Sequence, residues 1–326
     1  MNIPEMKKRR DCLMTSNKHY RGRIAQTGIY LGKFFRMFIY QNDWKMLPMA
    51  AVIAGAVTFA VGNNIFKTQE GTLSGCFALV CVCIWNGFFN SIQVVCRERP
   101  IVKREHRAGM HITSYIAAHM IYQMLLCLMQ TGILMSICTI AKMNFPKQGL
   151  ITNSFYIDFT LSLFLITYAA DMASLMISCY VKNTTAAMTL MPFMLIFQLI
   201  FSGGLIYLEG AAKKLTGFTI ARWGLAALCT LANYNSQPMV SLWNEIWKFR
   251  SMEIEGHQPI KIFTDKIIQE GRLNEFLQES GSYNQDAAYL YDKANLLLSW
   301  RNMIIMAVLF VVIAVLLLKR VDRDKR

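Results

Sequence analysis

The chain has 326 residues and a net charge of +14, yet only 17% of its residues are charged while 54% are hydrophobic. A soluble domain carries about 25% charged residues, so this composition indicates a polytopic membrane protein. Nucleic-acid binding is not favoured despite the basic charge, because Lys and Arg flank apolar stretches, as they do in membrane proteins.

The first 45 residues are polar and basic and divide into two parts. Residues 1–22 form a basic N-terminal tail. Over residues 23–45, apolar side chains recur at helical spacing with Lys and Arg between them, which predicts an amphipathic helix lying at the inner membrane surface. A helix on the surface of a soluble domain is the alternative. Since so long a polar stretch precedes the first apolar one, no cleavable signal peptide is expected.

Six apolar stretches follow, each close to the roughly 20 residues that a helix needs to cross a bilayer. They are residues 46–66, 73–95, 112–141, 155–181, 187–208 and 296–318. The whole net charge is carried by the first 45 residues, the 96–109 loop, Lys182 and the basic tail 319–326. Because Lys and Arg concentrate in cytoplasmic loops, both termini are predicted to be cytoplasmic.

A long segment, residues 209–295, separates the last two predicted spans. Residues 215–232 are apolar but interrupted by glycines and Arg222, a pattern that predicts a re-entrant pair of short helices covered by protein. Residues 260–279 alternate charged and apolar side chains at helical period and predict a single soluble helix. The charge pattern places the whole segment on the extracellular side.

Polar residues recur inside three of the predicted spans. Asn86, Gln123 and Asp171 each lie about ten residues from a cytoplasmic end, a depth of roughly 15 Å at 1.5 Å per residue. An ionised group there costs on the order of 2.5–3.5 kcal/mol unless it is paired, so Asp171 is predicted to face the bundle interior and to contact Gln123 or His119. A structural hydrogen bond and a proton relay both remain open for this carboxylate.

Motifs for ATP hydrolysis and for other catalysis are absent from the sequence. It contains no G-x-x-x-x-G-K-[ST] phosphate loop, no G-x-S-x-G elbow and no H-E-x-x-H metal motif. The chain is therefore not expected to be an enzyme by itself, nor to bind a metal or cofactor directly. Energy for an active process would have to come from another chain or from an ion gradient.

The loop between the second and third spans carries the most specific pattern. Its composition predicts a short helix parallel to the membrane, although a solvated connector would also fit. Residues 96–109 contain Glu-Arg-Pro at 98–100, followed by Glu105 and Gly109, and Ser-Tyr follows at 114–115. In this order the loop resembles the coupling-helix loop of the G-subfamily of ABC exporters and of their bacterial type-2 ABC permease relatives.

Three further stretches support this resemblance. Residues 201–205, Phe-Ser-Gly-Gly-Leu, are similar to the family's F-S-G motif, and residues 220–228 are similar to its re-entrant-helix signature. Residues 26–47 resemble the connecting helix that leads into the first span. The family often carries its ATPase domain on the same chain, and this sequence has none, so the resemblance implies a separate ATPase subunit.

The resemblance implies an all-α membrane fold with six transmembrane helices, an N-terminal amphipathic connecting helix, a cytoplasmic coupling helix and a re-entrant helix pair before helix six. It also implies the permease subunit of an ATP-driven exporter for an amphipathic, lipid or peptide substrate. Expected partners are an ABC ATPase subunit that binds ATP and Mg, a second permease copy forming a homodimer, and membrane lipids. The expected location is the plasma membrane of a bacterium.

The resemblance also suggests site residues. A substrate cavity on the two-fold axis would be lined by Trp85, Asn86, Phe89, Asn90, Phe193, Phe197 and Leu205. In the coupling loop, Arg97, Arg99 and Arg104 would meet the ATPase, while Glu98 and Glu105 would orient the loop. Two other functions remain open: a channel or proton-coupled carrier that uses Asp171 and His119, and an immunity-type membrane protein that binds a peptide without transporting it.

Overall fold

The computed structural model describes residues 22–40, 43–62, 65–204, 206, 208, 210–253 and 257–320; most of these residues are helical, and none of them forms a β-strand. The helices are α1 (Arg23–Tyr40), α2 (Met46–Val61), α3 (Gln69–Ser91), α4 (Val94–Arg107), α5 (Ile112–Ile140), α6 (Phe155–Tyr180), α7 (Thr184–Ile200), α8 (Gly210–Thr216), α9 (Ile220–Leu231), α10 (Val240–Lys248), α11 (Pro259–Gln269), α12 (Leu273–Ser282) and α13 (Lys293–Leu318). Leu205 and nearly all of the two basic tails lie outside the described residues.

Among the described residues, five stretches of helix are long and apolar enough to cross a membrane. They are Asp43–Val61, Gln69–Arg107, Ile112–Ile140, Phe155–Tyr180 and Lys293–Leu318. Each contains or overlaps one of the predicted spans. The sequence predicted another span at 187–208, where the structure has the shorter apolar helix α7 of 17 residues. At 1.5 Å per residue this helix is about 25 Å long, somewhat less than the roughly 30 Å of the hydrocarbon core.

Helix α6 is the centre of the bundle and packs against α3, α5, α9 and α13. Buried small residues, among them Ala169, Ala170 and Ala173, let the neighbouring backbones come close. The closest approach is to α3 at Gly87, where an added Cβ would lie 2.4 Å from the carbonyl oxygen of Thr167. Glycine at this position is therefore a condition for the contact between α3 and α6.

Helix α1 lies along α5 at the end of the bundle where α3 turns into α4. Its buried residue is Phe34, whose ring lies 5.9 Å from that of Tyr115 on α5. Ile24 and Ile39 are exposed apolar residues on the same helix. A helix therefore occupies most of the predicted 23–45 amphipathic stretch, and its place at a membrane surface stays a prediction.

The described part of the 209–295 segment contains five short α-helices before α13 begins, α8 to α12. Helix α9 is buried against α3, α6 and α13, whereas α10 to α12 lie near the start of α3. The prediction of one helix over residues 260–279 is wrong, because α11 ends at Gln269 and α12 begins at Leu273. Gly271 between them has φ +68°, a left-handed conformation that favours glycine and ends a helix.

Hydrogen bonds hold this segment to the beginning of α3. The buried side-chain amide of Gln69 donates to the carbonyl oxygen of Gly281 at 2.9 Å. The hydroxyl of Thr72 donates to the side-chain oxygen of Gln237. Both residues of α3 are almost completely buried, so the segment is fixed to the bundle by specific polar contacts.

Candidate functional site

Helix α4, where the coupling loop was predicted, is tied to α1 through its two carboxylates. Lys33 of α1 lies 3.0 Å from Glu98, whose side chain is only 8% exposed. The hydroxyl of Tyr30 donates to Glu105 at 2.9 Å. Burial, and then the neighbouring Glu105 carboxylate, raise the pKa of Tyr30 well above its ordinary value, so the phenol keeps the proton that it donates. Both carboxylates therefore orient α4 against α1.

The same helix is tied to α6 by reciprocal capping. Two backbone N–H groups in the first turn of α4 donate to the Ser178 hydroxyl of α6, at 3.0 and 3.2 Å. In return, the guanidinium of Arg99 donates to the carbonyl oxygens of Cys179 and Val181 at the end of α6, at 2.9 and 3.0 Å. Each helix thus satisfies terminal backbone groups of the other. Arg99, expected to meet an ATPase, is turned towards α6 instead.

The other face of α4 is exposed. Arg97, Pro100, Ile101 and Arg104 are accessible and follow i, i+3, i+4, i+7 spacing, which places them on one side of the helix. The buried residues of α4 are Val95, Cys96, Glu98 and Val102. The exposed face therefore combines two of the three predicted arginines with an apolar centre at residues 100–101. The sequence analysis missed that centre, although helical spacing from the arginines would have found it.

Asp171 forms a hydrogen-bonded cluster that joins α3, α5 and α6. Its carboxylate is completely buried and accepts from the hydroxyl of Ser91. It also accepts from the thiol of Cys127 at 3.3 Å and from the amide of Asn90 at 3.5 Å. Three donors on two other helices thus point at a single carboxylate, which is the usual way of accommodating such a group inside a membrane bundle.

Two glutamines of α5 extend this cluster. Gln130 and Asn90 exchange a pair of amide hydrogen bonds, each 2.9 Å long. The amide of Gln123 donates to the hydroxyl of Ser91 at 2.8 Å. Because Ser91 accepts from Gln123 while it donates to the carboxylate, α3 is locked between α5 and α6 by side-chain bonds.

The structure separates the partners that were predicted for Asp171. Gln123 reaches the carboxylate only through Ser91, and His119 belongs to a different contact. The imidazole of His119 stacks on the ring of Phe34, with centroids 3.9 Å apart. Among the described residues, no hydrogen bond connects His119 to Asp171, so the two do not form a direct proton relay in this conformation.

The predicted cavity aromatics are mostly exposed at the surface of the chain. Trp85 and Phe89 are one turn apart on α3, with ring centroids 5.4 Å apart, and both are more than 40% exposed. Phe193 on the neighbouring helix α7 is also exposed, while Phe197 is half-buried and contacts the ring of Phe201 at 4.8 Å. The rest of the chain leaves three of these rings exposed on the adjoining helices α3 and α7, and we call them the aromatic surface: Trp85, Phe89 and Phe193.

The predicted cavity amides are turned the other way. Asn86 and Asn90 are buried inside the bundle, and Asn90 is hydrogen-bonded within the Asp171 cluster. Leu205 lies outside the described residues. Neither of these two amides is therefore exposed on the aromatic surface.

One polar residue of α7 was missed in the sequence. Gln198 is buried, and its side-chain oxygen accepts from the backbone N–H groups of Ile220 and Ala221 at 2.9 and 3.2 Å. It caps the start of α9 and so holds the predicted re-entrant signature against α7. The sequence did contain a signal for this role, because Gln198 is an isolated amide in an apolar stretch just before Phe-Ser-Gly. Among the described residues, no cluster of His, Cys, Asp and Glu would hold a metal ion.

Comparison with known proteins agrees with the resemblance found in the sequence. Residues 33–219 match the model of the family described as ABC-2 type transporter. An ABC transporter ATP-binding/permease protein of Mycobacterium tuberculosis is 29% identical over 198 residues, which are 59% of this chain and 22% of the relative. This chain thus spans about a fifth of that protein. With more than half of its residues matched, the chain belongs to the ABC-2 type transporter family, as a multi-pass membrane component of an ABC transporter.

Proposed function

We propose that this chain is the permease subunit of an ATP-driven exporter that moves an amphipathic, lipid or peptide substrate out across the plasma membrane. The observation that carries the proposal is the double attachment of α4. One side of this helix is bound to α1 and α6, and the other side is exposed and basic. A partner that pushes on the exposed side would move the central helix of the bundle.

The partner in this proposal is a separate ATPase subunit, which would bind ATP and Mg. The exposed face of α4 presents Arg97 and Arg104 on either side of Ile101. Such a face suits an apolar notch with an acidic rim, because the apolar centre supplies affinity and the charges fix the orientation. The mycobacterial relative is an ATP-binding/permease protein, which agrees with an ATPase partner for this family.

A dimer of this chain would place its aromatic surface on the two-fold axis. Trp85, Phe89 and Phe193 are exposed on adjacent helices, and an isologous interface brings the same surface of two copies together. Aromatic walls without a charge suit an apolar or amphipathic substrate. The homodimer and the central substrate cavity therefore belong to the same proposal.

The proposed topology has six spans, with α7 as the fifth, and cytoplasmic termini. The charge asymmetry of the sequence supports it, because the basic α4 then faces the cytoplasm. We expect a cysteine placed at Arg104, on a cysteine-free background, to react with a membrane-impermeant reagent only after the membrane is opened. Labelling of that cysteine in intact cells would contradict the topology.

Association with an ATPase tests the function directly. The tagged chain is purified from its native membrane, and bound proteins are identified by mass spectrometry. We expect an ABC ATPase in the wild-type complex and its loss when Ile101→Asp and Arg104→Glu are combined. Arg272→Glu, the same charge reversal as Arg104→Glu but at an exposed site of the 209–295 segment, is the control and should retain the partner. An ATPase retained by the α4 variant would contradict the proposed docking face.

Coupling is tested by Glu105→Lys. The change replaces the acceptor of the Tyr30 hydroxyl by a cation, so this link between α4 and α1 is lost while the Lys33–Glu98 pair remains. We expect ATP hydrolysis and membrane insertion to remain while export stops. Wild-type export by this variant would argue against the proposal. Transport driven by a proton gradient without ATP would favour a carrier instead.

A further inference from the structure

Helix α13 carries one charged residue in its apolar part, Arg301. The helix is long and apolar enough to cross a membrane. Charged side chains within such helices nearly always face the interior of the bundle or a water-filled cavity. Arg301 is instead exposed on the outside of the chain. The packing of α13 explains this orientation.

The buried side of α13 is held against α6. The indole N–H of Trp300 donates to the hydroxyl of Ser162 on α6 at 2.9 Å, and both side chains are buried. Met303 and Ala307 lie on the same buried side of α13, which leaves Arg301 on the outer side. Its neighbours three and four residues away are all exposed and apolar: Leu297, Leu298, Ile304 and Ile305. The cation thus lies in the middle of an apolar face.

Among the described residues, no acidic side chain is paired with Arg301. Its guanidinium has several N–H donors and does not lose its charge in a protein. A second copy packed symmetrically on this face would not supply an acid, because it would present the same arginine and the same aliphatic side chains. The counter-charge must therefore come from the membrane or from a different protein.

The position of Arg301 along α13 favours the membrane. Leu318 ends the helix and is followed by Lys319 and Arg320, which indicates a membrane surface at that end. Arg301 is about 25 Å from Leu318 along the helix, whereas the hydrocarbon core is roughly 30 Å thick, so Arg301 lies only about 5 Å inside the opposite edge of the core. Helical side chains tilt towards the N-terminus of their helix, so Arg301 is aimed at this nearer surface. Its long aliphatic stem lets the guanidinium reach the headgroups.

We propose that Arg301 binds the phosphate of a phospholipid, which lies in the outer leaflet in the topology given above. The planar guanidinium matches a phosphate with two parallel hydrogen bonds. Every phospholipid carries a phosphate at headgroup depth, whereas an acidic side chain of another protein near the hydrocarbon core would itself be costly. The acyl chains then lie along the apolar face of residues 297–305. The proposal depends on α13 crossing the membrane, and not on the export function.

Photolabelling of the full chain in maltoside detergent micelles tests the proposal, because these micelles contain no phosphate of their own. The probe is phosphatidylglycerol with a diazirine in its acyl chains, and labelled residues are mapped by mass spectrometry. We expect labelling of residues 297–305 that is competed by phosphatidylglycerol but not by the phosphate-free lipid monogalactosyldiacylglycerol. Arg301→Leu should raise the concentration of phosphatidylglycerol that halves this labelling by at least about fivefold, since a charge-assisted hydrogen bond is lost.

Two variants serve as comparisons. Arg320→Leu makes the same change at the other end of α13 and should leave the labelling of residues 297–305 as in the wild type. Arg301→Lys keeps the charge without the planar fork and should fall between the wild type and Arg301→Leu. If Arg301→Leu does not insert into the membrane, Arg301→Gln removes the charge from a side chain that stays polar.

Equal competition by both lipids, or unchanged competition in the variant that lacks the charge, would overturn the proposal. A membrane protein that copurifies with the wild type from native membranes and is lost with Arg301→Leu would also overturn it, since an acidic side chain would then be the partner.

Discussion

The two ends of α3 are both anchored by buried polar residues, but the anchors differ in kind. At the start, Gln69 and Thr72 bond to neutral amide and carbonyl groups of the 209–295 segment. At the end, Asn90 and Ser91 bond to a buried carboxylate on α6, and the chain then turns into the basic helix α4. The first anchor also includes Glu70, whose partly buried carboxylate accepts from the backbone N–H groups of Val240 and Ser241. The second links the membrane interior to the exposed basic face.

The largest effect is expected at the carboxylate of the second anchor. Asp171→Leu removes the acceptor of Ser91, Cys127 and Asn90 and leaves three donors in an apolar bundle. We expect unfolding to become easier by about 2–4 kcal/mol, since each orphaned donor costs about 1 kcal/mol and donors in a membrane find partial replacements. The thermal midpoint of the purified protein in detergent measures this change.

Asp171→Asn is the conservative comparison at this site. Asparagine keeps one acceptor oxygen, and the hydroxyl of Ser91 can turn to accept from its amide. We therefore expect a loss below about 1 kcal/mol and near-normal transport. Normal folding with abolished transport would instead show that the carboxylate must ionise, and would favour the proton-coupled carrier.

The anchor at the start of α3 is tested at Gly281. A Cβ at this position would lie 2.3 Å from the carbonyl oxygen of Gln237, so Gly281→Val forces the segment away from α3. We expect a cost of about 1–3 kcal/mol, as for other overpacked sites, and faster protease cleavage within residues 240–282. Gly217→Ala, whose Cβ would meet its nearest atom at 3.6 Å, is the control. Equal protease resistance in both variants would mean that Gly281 does not hold the segment.

A smaller effect is expected from the ion pair beside the second anchor. Lys33→Ala leaves Glu98, which is 8% exposed in its side chain, without its cation. We expect a loss of about 1–2 kcal/mol in the free energy of unfolding, because a largely buried carboxylate then lacks a partner. Lys33→Gln can still donate to the carboxylate and should recover about half of that loss. If both variants have the same thermal midpoint, the charge of Lys33 and not its hydrogen bond stabilises the protein at Glu98.

The sequence predicted the helices well because hydropathy and helical period are local properties. The predicted stretch 155–181 became Phe155–Tyr180, and 296–318 became Lys293–Leu318. The error at 260–279 arose because the apolar period continues across Gly271 while the backbone there is left-handed. Only the glycine signalled the break, and a single glycine is tolerated inside many helices.

The site was predicted less well because it depends on contacts between distant parts of the chain. In the sequence, Arg99 had the same predicted role as Arg97 and Arg104, namely contact with an ATPase. In the structure α6 lies close to Arg99, and the Arg99 guanidinium donates to carbonyl oxygens at the end of that helix. In the same way, depth placed His119 near Asp171, but α1 returns along α5 and covers the imidazole with Phe34. Helical period identifies which residues share a face, whereas the neighbour of that face is decided by the packing of the bundle.

The smallest effect is expected from an exposed ion pair of the 209–295 segment. Arg272 and Glu275 lie 2.7 Å apart, but both side chains are more than half exposed. Water and salt screen such a pair, and ordering two long side chains offsets the attraction. Arg272→Ala should therefore leave the thermal midpoint unchanged at both low and high salt, in contrast to Lys33→Ala. A clear drop confined to low salt would show that this exposed ion pair does help to stabilise the segment, against the expectation from screening.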